Sequence, residues 1–229
     1  MRKRYDDFLR RLNQYRLCLN MTQDELSNAL GITQSQFSKI ELGKTIMPYK
    51  TLELLEGMGW DVDYLVTGKN FDRGASELNT ILQQVEETNK REVLSAVAWL
   101  LKQGIGICCP NLSSECKCEM EILQMRANSE SPCSVLYEVR QMLDVAQAIM
   151  AEKLGVNIKK YRKLEKNEAC PDVELLFRIY EVTGCKPSLI LHNDHVENII
   201  IDDLWTQITV PIQSKILSLT EQVLWFIRM

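Results

Sequence analysis

Apolar residues at Tyr5, Phe8, Leu9, Leu12 and Leu19 recur at the spacing of one helix face, which predicts an amphipathic first helix over about residues 4–18. Thr22-Gln23-Asp24-Glu25 has the form of a capping box. The Thr22 hydroxyl can accept from the Glu25 amide while the Glu25 carboxylate reaches back to the Thr22 amide, so a second helix starts here and buries Leu26, Ala29 and Leu30. Gly31 ends it, because the residue after a helix often needs a positive φ that glycine adopts without a Cβ clash. Thr33 caps a third helix, 34–42, that buries Phe37 and Ile40 and turns Gln34, Ser35, Gln36, Ser38 and Lys39 to solvent. Gly43 ends that helix. Pro48 opens a fourth with Leu52, Leu55 and Met58 on one face, and DVDYLVTG supplies a short fifth. Ser27 is small, as a close crossing of the second and third helices requires.

The same pattern returns further along the chain. Residues 21–44, MTQDELSNALGITQSQFSKIELGK, align without a gap on residues 145–168, VAQAIMAEKLGVNIKKYRKLEKNE, at a constant offset of 124. Gln23 meets Gln147, Leu30-Gly31-Ile32 meets Leu154-Gly155-Val156, Phe37 meets Tyr161, Ile40 meets Leu164 and Ser27 meets Ala151. Upstream, Leu12 meets Leu136 and Arg16 meets Arg140; downstream, Pro48 corresponds to Pro171 and the run from it to Gly59 to the run ending at Gly184, with a two-residue insertion in the second copy. Each stretch is followed by helix-forming sequence, SELNTILQQVEE and NKREVLSAVAWLLKQ after the first, IIIDDLWTQIT and PIQSKILSLTEQVLWFIRM after the second. The expected fold is all-α: two tandem five-helix domains at 1–68 and 131–191, a helical connector with a cysteine-containing segment at 69–130, and C-terminal helices at 192–229 for packing or dimerisation.

Composition places this organisation in a soluble globular class. The 229 residues suffice for two small cores, and 45% apolar with 25% charged residues is ordinary for a folded protein. The start, MRKRYDD, lacks the apolar stretch of a signal peptide, and no apolar run approaches the ~18 residues a membrane span needs. A cytoplasmic protein with mostly reduced cysteines is expected. The net charge of −4 works mildly against nonspecific nucleic-acid binding, so local charge decides the matter.

Residues 4–68, through TQDELSNALGITQSQFSKIELGKT, Pro48 and DYLVTG, resemble the lambdoid phage repressor and Cro family, also called the xenobiotic-response-element family, of helix-turn-helix transcription regulators. The resemblance implies double-stranded DNA as partner and a third helix lying in the major groove; the two modules are expected to act within one chain or across a homodimer, on half-sites about one helical turn apart. It implies an ion pair between Arg16 and Glu41, repeated as Arg140 and Glu165, with a bidentate guanidinium–carboxylate bond that fixes geometry. It places Gln23 against phosphate, where it steadies the first recognition residue. Gln34, Ser35 and Lys39 fall on base-reading positions, where Gln suits adenine and Lys suits guanine. Thr22, Lys44, Ser38 and Thr45 fall where the DNA backbone is contacted. The arm Arg2-Lys3-Arg4 either reaches phosphate or is a solvated terminus.

The second stretch departs from the family pattern. Ala146 replaces the capping Thr22, Ile149 and Met150 replace Glu25 and Leu26, and Asn167 replaces Gly43. Asp144 is expected to cap from two residues earlier, and Ser131-Pro132 to start the preceding helix. The helix that carries Lys159, Lys160, Arg162 and Lys163 suits phosphate contact better than base readout, although Lys159 and Lys163 occupy potential base-reading positions, and Gln147 stands for Gln23. Ile158, in place of Gln34, cannot hydrogen-bond a base but can touch a thymine methyl. The alternative is a module kept for packing.

Other chemistry is weaker. Cys108, Cys109, Cys116 and Cys118 lack the spacing by which a turn chelates zinc, and Cys116 reads as the buried side of a helix. His192-Asn193-Asp194-His195 has no fourth ligand nearby. No phosphate loop, nucleophile with its base, or pair of catalytic carboxylates is present, so a non-enzyme without metal, cofactor or identifiable small-molecule ligand is expected. Ile212, Ile216, Leu217, Leu219, Val223, Leu224, Trp225, Phe226 and Ile227 exceed one buried stripe, so part of this segment should meet Trp99, Leu100 and Leu101 or a second subunit. The function expected is sequence-specific DNA binding by a regulator; the alternative is an antitoxin-like or anti-regulator factor whose modules bind protein.

Overall fold

The computed structural model describes residues 2–71, 74–129, 133–192 and 195–227, with side chains from Arg4 onward. Arg2 and Lys3 of the terminal arm (as side chains), Ser131-Pro132 and Asn193-Asp194 lie outside the described residues. Those described form fifteen α-helices and no strand. In order they are α1 (Arg2–Cys18), α2 (Gln23–Ala29), α3 (Gln34–Glu41), α4 (Tyr49–Gly57), α5 (Val62–Thr67), α6 (Glu77–Leu82), α7 (Glu87–Cys108) and α8 (Ser114–Ala127). Then follow α9 (Val135–Met142), α10 (Gln147–Lys153), α11 (Ile158–Glu165), α12 (Val173–Thr183), α13 (Pro187–Leu191), α14 (Val196–Thr206) and α15 (Val210–Ile227). The helices divide into two compact units. The first takes residues 1–70, 148–182 and 186–191, and the second takes 71–147, 183–185 and 192–229.

In the first unit α1 buries Tyr5, Phe8, Leu9 and Leu12, but Leu19 is exposed. The helix stops before Leu19 because the chain reverses at Asn20, whose φ is +54°, and the Met21 amide returns to the Arg16 carbonyl at 3.1 Å. The inward face of α2 runs through Leu26, Ser27 and Leu30; Ala29, expected inside, is rotated off that face and exposed. Ser27 has no exposed surface and its hydroxyl donates to the Asp24 carbonyl at 2.9 Å, so a small polar residue is accommodated at the crossing. Met58, expected beside Leu52 and Leu55, lies past the end of α4 and is partly exposed.

Phe8, Leu12, Phe37, Leu52 and Leu65 share one hydrophobic core with Val173, Leu176, Phe177 and Leu191. Phe8 meets Phe177 edge to face at 6.2 Å, and the Tyr49 hydroxyl donates to the Leu191 carbonyl at 3.1 Å. Helices α5 and α13 pack against each other. There Asp63, fully buried, accepts from the Ser188 amide at 2.8 Å and from its hydroxyl at 2.7 Å. Arg4 of the terminal arm pairs with Glu181.

The second unit is organised by α7, which packs most extensively against α15 and also against α8. Gly104 permits the approach, since a Cβ there would come within 2.8 Å of the Ile216 side chain. Leu100, Leu101 and Ile216 are buried, whereas Trp99, Trp225 and Phe226, at 59%, 66% and 75% exposure, are not. The expected contact of the terminal segment is therefore made by its helix but not by these three rings. Cys116 and Cys118 are both buried on α8. Among the described residues no group of three or more His, Cys, Asp or Glu gathers as a metal site. Arg126 is buried, donating to Glu138 at 2.9 Å, Glu197 at 3.2 Å and the Cys133 carbonyl at 3.1 Å.

Several local features recur at the sequence offset of 124. Helices α2 and α10 begin and end at equivalent positions, as do α3 and α11. Left-handed backbone occurs at Asn20 and Asp144, at Gly31 and Gly155, and at Gly43 and Asn167. Asp144 is thus part of a chain reversal, and it does not cap α10 as expected, because a capping residue needs extended backbone directly before the helix. The start of α9 is capped by Ser134, whose hydroxyl accepts from the Tyr137 amide.

Two outcomes are expected from these packings. Asp63→Ala strands the Ser188 amide and hydroxyl and lowers the unfolding free energy by at least about 2 kcal/mol, measured by urea denaturation, while Asp63→Asn costs less because one acceptor remains. Burial pushes the Glu138 carboxyl from its ordinary 4.5 up to about 7, against the lowering pull of Arg126. The folded form then holds this proton more tightly than the unfolded chain, so its contribution to stability is full below about pH 4.5 and is lost as pH rises through 7. Denaturation midpoints measured from pH 5 to 7.5 should fall more steeply for the wild type than for Glu138→Gln.

Candidate nucleic-acid interface

Two capping boxes set the ends of the candidate surface. Thr22 accepts from the Glu25 amide at 3.1 Å while its own amide and hydroxyl donate to Glu25 at 2.7 and 2.9 Å. Thr33 does the same with Gln36, accepting at 3.2 Å and donating from its amide at 2.8 Å. The second box was hidden in the sequence because Gln36 also fits a solvent-facing position; its signal is the T-x-x-Q spacing. Between them Gly31, at φ +64°, makes the sharp turn that sets α3 across α2. The Glu25 carboxyl is held below the usual range by its hydrogen bonds to Thr22.

A chain of side-chain hydrogen bonds then runs from the scaffold to the exposed helix. Arg16 Nε donates to Glu41 Oε1 at 3.1 Å, with both side chains about 10% exposed. The pair is single, not bidentate as expected, because the other guanidinium nitrogens donate to the Met21 carbonyl at 2.6 Å and to Asn13 Oδ1 at 2.7 Å. The second Glu41 oxygen accepts from Gln23 Nε2. Gln23 Oε1 in turn accepts from Gln34 Nε2 at 3.0 Å. Arg16, Glu41, Gln23 and Gln34 are thus linked in series, and Gln34 is oriented before any ligand arrives.

The remaining residues line up along the same helix and the loop after it. Gln34, Ser35 and Lys39 are exposed and Ser38 is half-buried; Phe37 and Ile40 are buried beneath them. Lys44 and Thr45, both exposed, are fixed through their amides, which donate to the Lys39 carbonyl at 2.9 and 3.2 Å. The loop is latched by Tyr5, whose hydroxyl donates to the Thr45 carbonyl at 3.1 Å and accepts from the Met47 amide at 2.8 Å. Burial pushes this phenol up to about 12, so it stays a donor at neutral pH. The latch was not legible in the sequence, since Tyr5 and the loop are forty residues apart. With Glu41 turned inward to Arg16, the outward charge of α3 and its loop is positive, from Lys39 and Lys44.

Lys159, Lys160, Arg162 and Lys163 are exposed on α11, and Gln147 is half-buried. Asn157 caps α11 by accepting from the Lys160 amide at 2.8 Å. Lys160 lies 3.9 Å from Asp172. Arg140 donates to the Val145 carbonyl at 3.0 Å, the bond that Arg16 makes to Met21 at the equivalent position. Glu165 accepts from the Tyr161 hydroxyl at 3.4 Å. A residue that sequence reasoning missed, Arg178, donates to the Leu154 carbonyl at 2.7 Å and to the Gly155 carbonyl at 3.3 Å, tying down the turn before α11.

Replacing Arg16 with Ala leaves the part-buried Glu41 without its guanidinium and the Met21 carbonyl without its donor. The expected loss is roughly 3–5 kcal/mol of unfolding free energy by chemical denaturation, accompanied by weaker DNA binding in any population that remains folded.

Residues 10–98 match a family model described as a helix-turn-helix domain. The match takes in most of α1, all of α2 to α6 and the first half of α7. No curated protein and no solved structure matches the chain. No helix among the described residues is long and apolar enough to cross a membrane. The chain carries a helix-turn-helix domain, and the hydrogen-bonded series from Arg16 to Gln34 lies within the matched residues.

Proposed function

We propose that this chain is a sequence-specific, double-stranded DNA-binding transcription regulator that reads the major groove with α3. The observation that carries the reading is the orientation of Gln34 by Gln23, itself held by Glu41 and the buried Arg16. A base-reading amide gains selectivity when its direction is fixed in advance, since a wrong base then meets an unmatched donor or acceptor. In this reading Gln34, Ser35 and Lys39 meet base edges. Gln23, Ser38, Lys44, Thr45 and the N-terminal end of α2 at Thr22 follow the phosphate backbone and set register. The protein acts in the cytoplasm without catalysis, by occupying its site.

The acidic total charge favours a second reading, in which the same domain is an antitoxin-like or anti-regulator module that binds protein. The local positive charge of α3 and its loop favours DNA.

Sequencing genomic DNA that co-purifies with the full chain should yield an enriched motif. Gln34→Ala should then lower discrimination at one base position by roughly 1–3 kcal/mol in competition shift assays, with little change in binding to unrelated DNA. Failure to retain any genomic fragment would turn the assignment towards a protein partner.

A further inference from the structure

We infer that this chain is an internal dimer: one polypeptide carries two half-site readers, α3 and α11, and binds one DNA site whose halves differ. The inference rests on the DNA-binding reading above and adds to it the stoichiometry and the form of the site.

The first support is local. The equivalent helix bounds, the three equivalent left-handed positions and the equivalent arginine-to-carbonyl bonds reproduce one backbone path twice. Buried side chains follow the same offset, Leu26 with Met150, Phe37 with Tyr161 and Ile40 with Leu164. No single feature requires a common fold, but their conjunction at one offset does.

The second support is the way helices pair within each unit. Helix α5 packs on α13, and their first residues, Val62 and Pro187, place Asp63 and Ser188 at the same position of each. These two residues hydrogen-bond to each other. Helix α7 packs on α15, each the second helix after its stretch, and the two run antiparallel. Cys108, at the end of α7, is 3.6 Å from Thr209, just before α15, whereas Glu86 and Asn89 share a cavity with Leu224 and Ile227. An element packed against its own counterpart is the mark of a two-fold relation, the geometry of an isologous dimer.

The third support is that the pairing is specialised. Across a true two-fold axis two copies of Asp63 would face each other in a dry interface, where like carboxylates cannot both stay charged. Here the counterpart is Ser188, which donates twice to the single carboxylate. This face of α5 is therefore filled from within the chain.

The two readers are also chemically unlike. Helix α11 exposes Lys159, Lys160, Arg162 and Lys163 and presents Ile158 where α3 presents Gln34. The first turn of α10 carries Ala148 and Ile149 where α2 carries Asp24 and Glu25, removing two negative charges from the end that faces phosphate. The second half-site is accordingly held by phosphate contacts and an apolar base contact, and the first by polar base contacts.

The test uses the full chain and duplexes selected from a random-sequence pool. The expected result is a motif with two unlike halves and, by native mass spectrometry, one chain per duplex. In the double variant Lys160→Gln with Arg162→Gln, the slope of log affinity against log salt should shrink by about 2 while the bases selected in the first half stay the same. Two chains on a palindrome, with Gln34→Ala altering both halves, would leave DNA reading intact and overturn the internal dimer. An unchanged salt slope in the double variant would likewise overturn the role of α11, and a pool with no enriched sequence would remove the regulator reading and this inference together.

Discussion

A guanidinium that reaches three different partners holds the interface in place. Arg16 ties the end of α1 to the Met21 carbonyl, to Asn13 and to the carboxylate at the end of α3. The remaining oxygen of Glu41 then anchors Gln23 and, through it, Gln34. A charge pair this sheltered adds little net stability against well-packed apolar residues, because desolvation offsets the attraction. What it supplies is direction. Helices α2 and α3 have only seven and eight residues, too short to hold an angle by their own backbone, so the hydrogen-bonded series defines where α3 points.

The same series sets the local charge of α3 apart from that of the acidic whole. Net charge is −4, yet on α3 the single carboxylate is turned inward and compensated, leaving Lys39 and Lys44 outward. On α11 Glu165 is buried and the exposed face is lysine and arginine. Electrostatic attraction acts within about a Debye length, ~8 Å at physiological salt, so the charge of the facing surface outweighs the total.

The last link of the series also separates the two stretches. Ile158 has no group to accept from or donate to Gln147, so the link that orients Gln34 has no counterpart on α11. The scaffold bond from Arg140 to Val145 and the cap at Asn157 remain, which fix the backbone but not a recognition amide. Backbone geometry and the orientation of exposed amides are thus separable: the first is carried by caps, reversals and buried apolar residues, the second by a few polar tips.

Much of the local structure follows from the sequence alone, because caps, left-handed turns and amphipathic spacing act over four or five residues. Thr22 with Glu25, Gly31, Thr33, and the burial of Leu26, Phe37 and Ile40 are of this kind, as is the pairing of Arg16 with Glu41 once the resemblance is recognised. Where a residue's side chain ends up relative to distant elements is a different matter. Ala29 and Met58 fit an apolar stripe by spacing but are exposed, since the position of neighbouring helices decides which part of a short helix is covered. Asp144 looks like a cap but lies in a reversal set by the chain on either side of it. The Tyr5 latch, the Arg178 clamp and the Asp63–Ser188 bond join residues 23 to 125 positions apart, and only the folded chain brings such partners within hydrogen-bond reach. The sequence determined the helices and the repeat. Tertiary structure decided that residues 1–70 share a core with residues from 173 onward, because apolar side chains are buried by whichever surface is complementary, and periodicity carries no record of which that is.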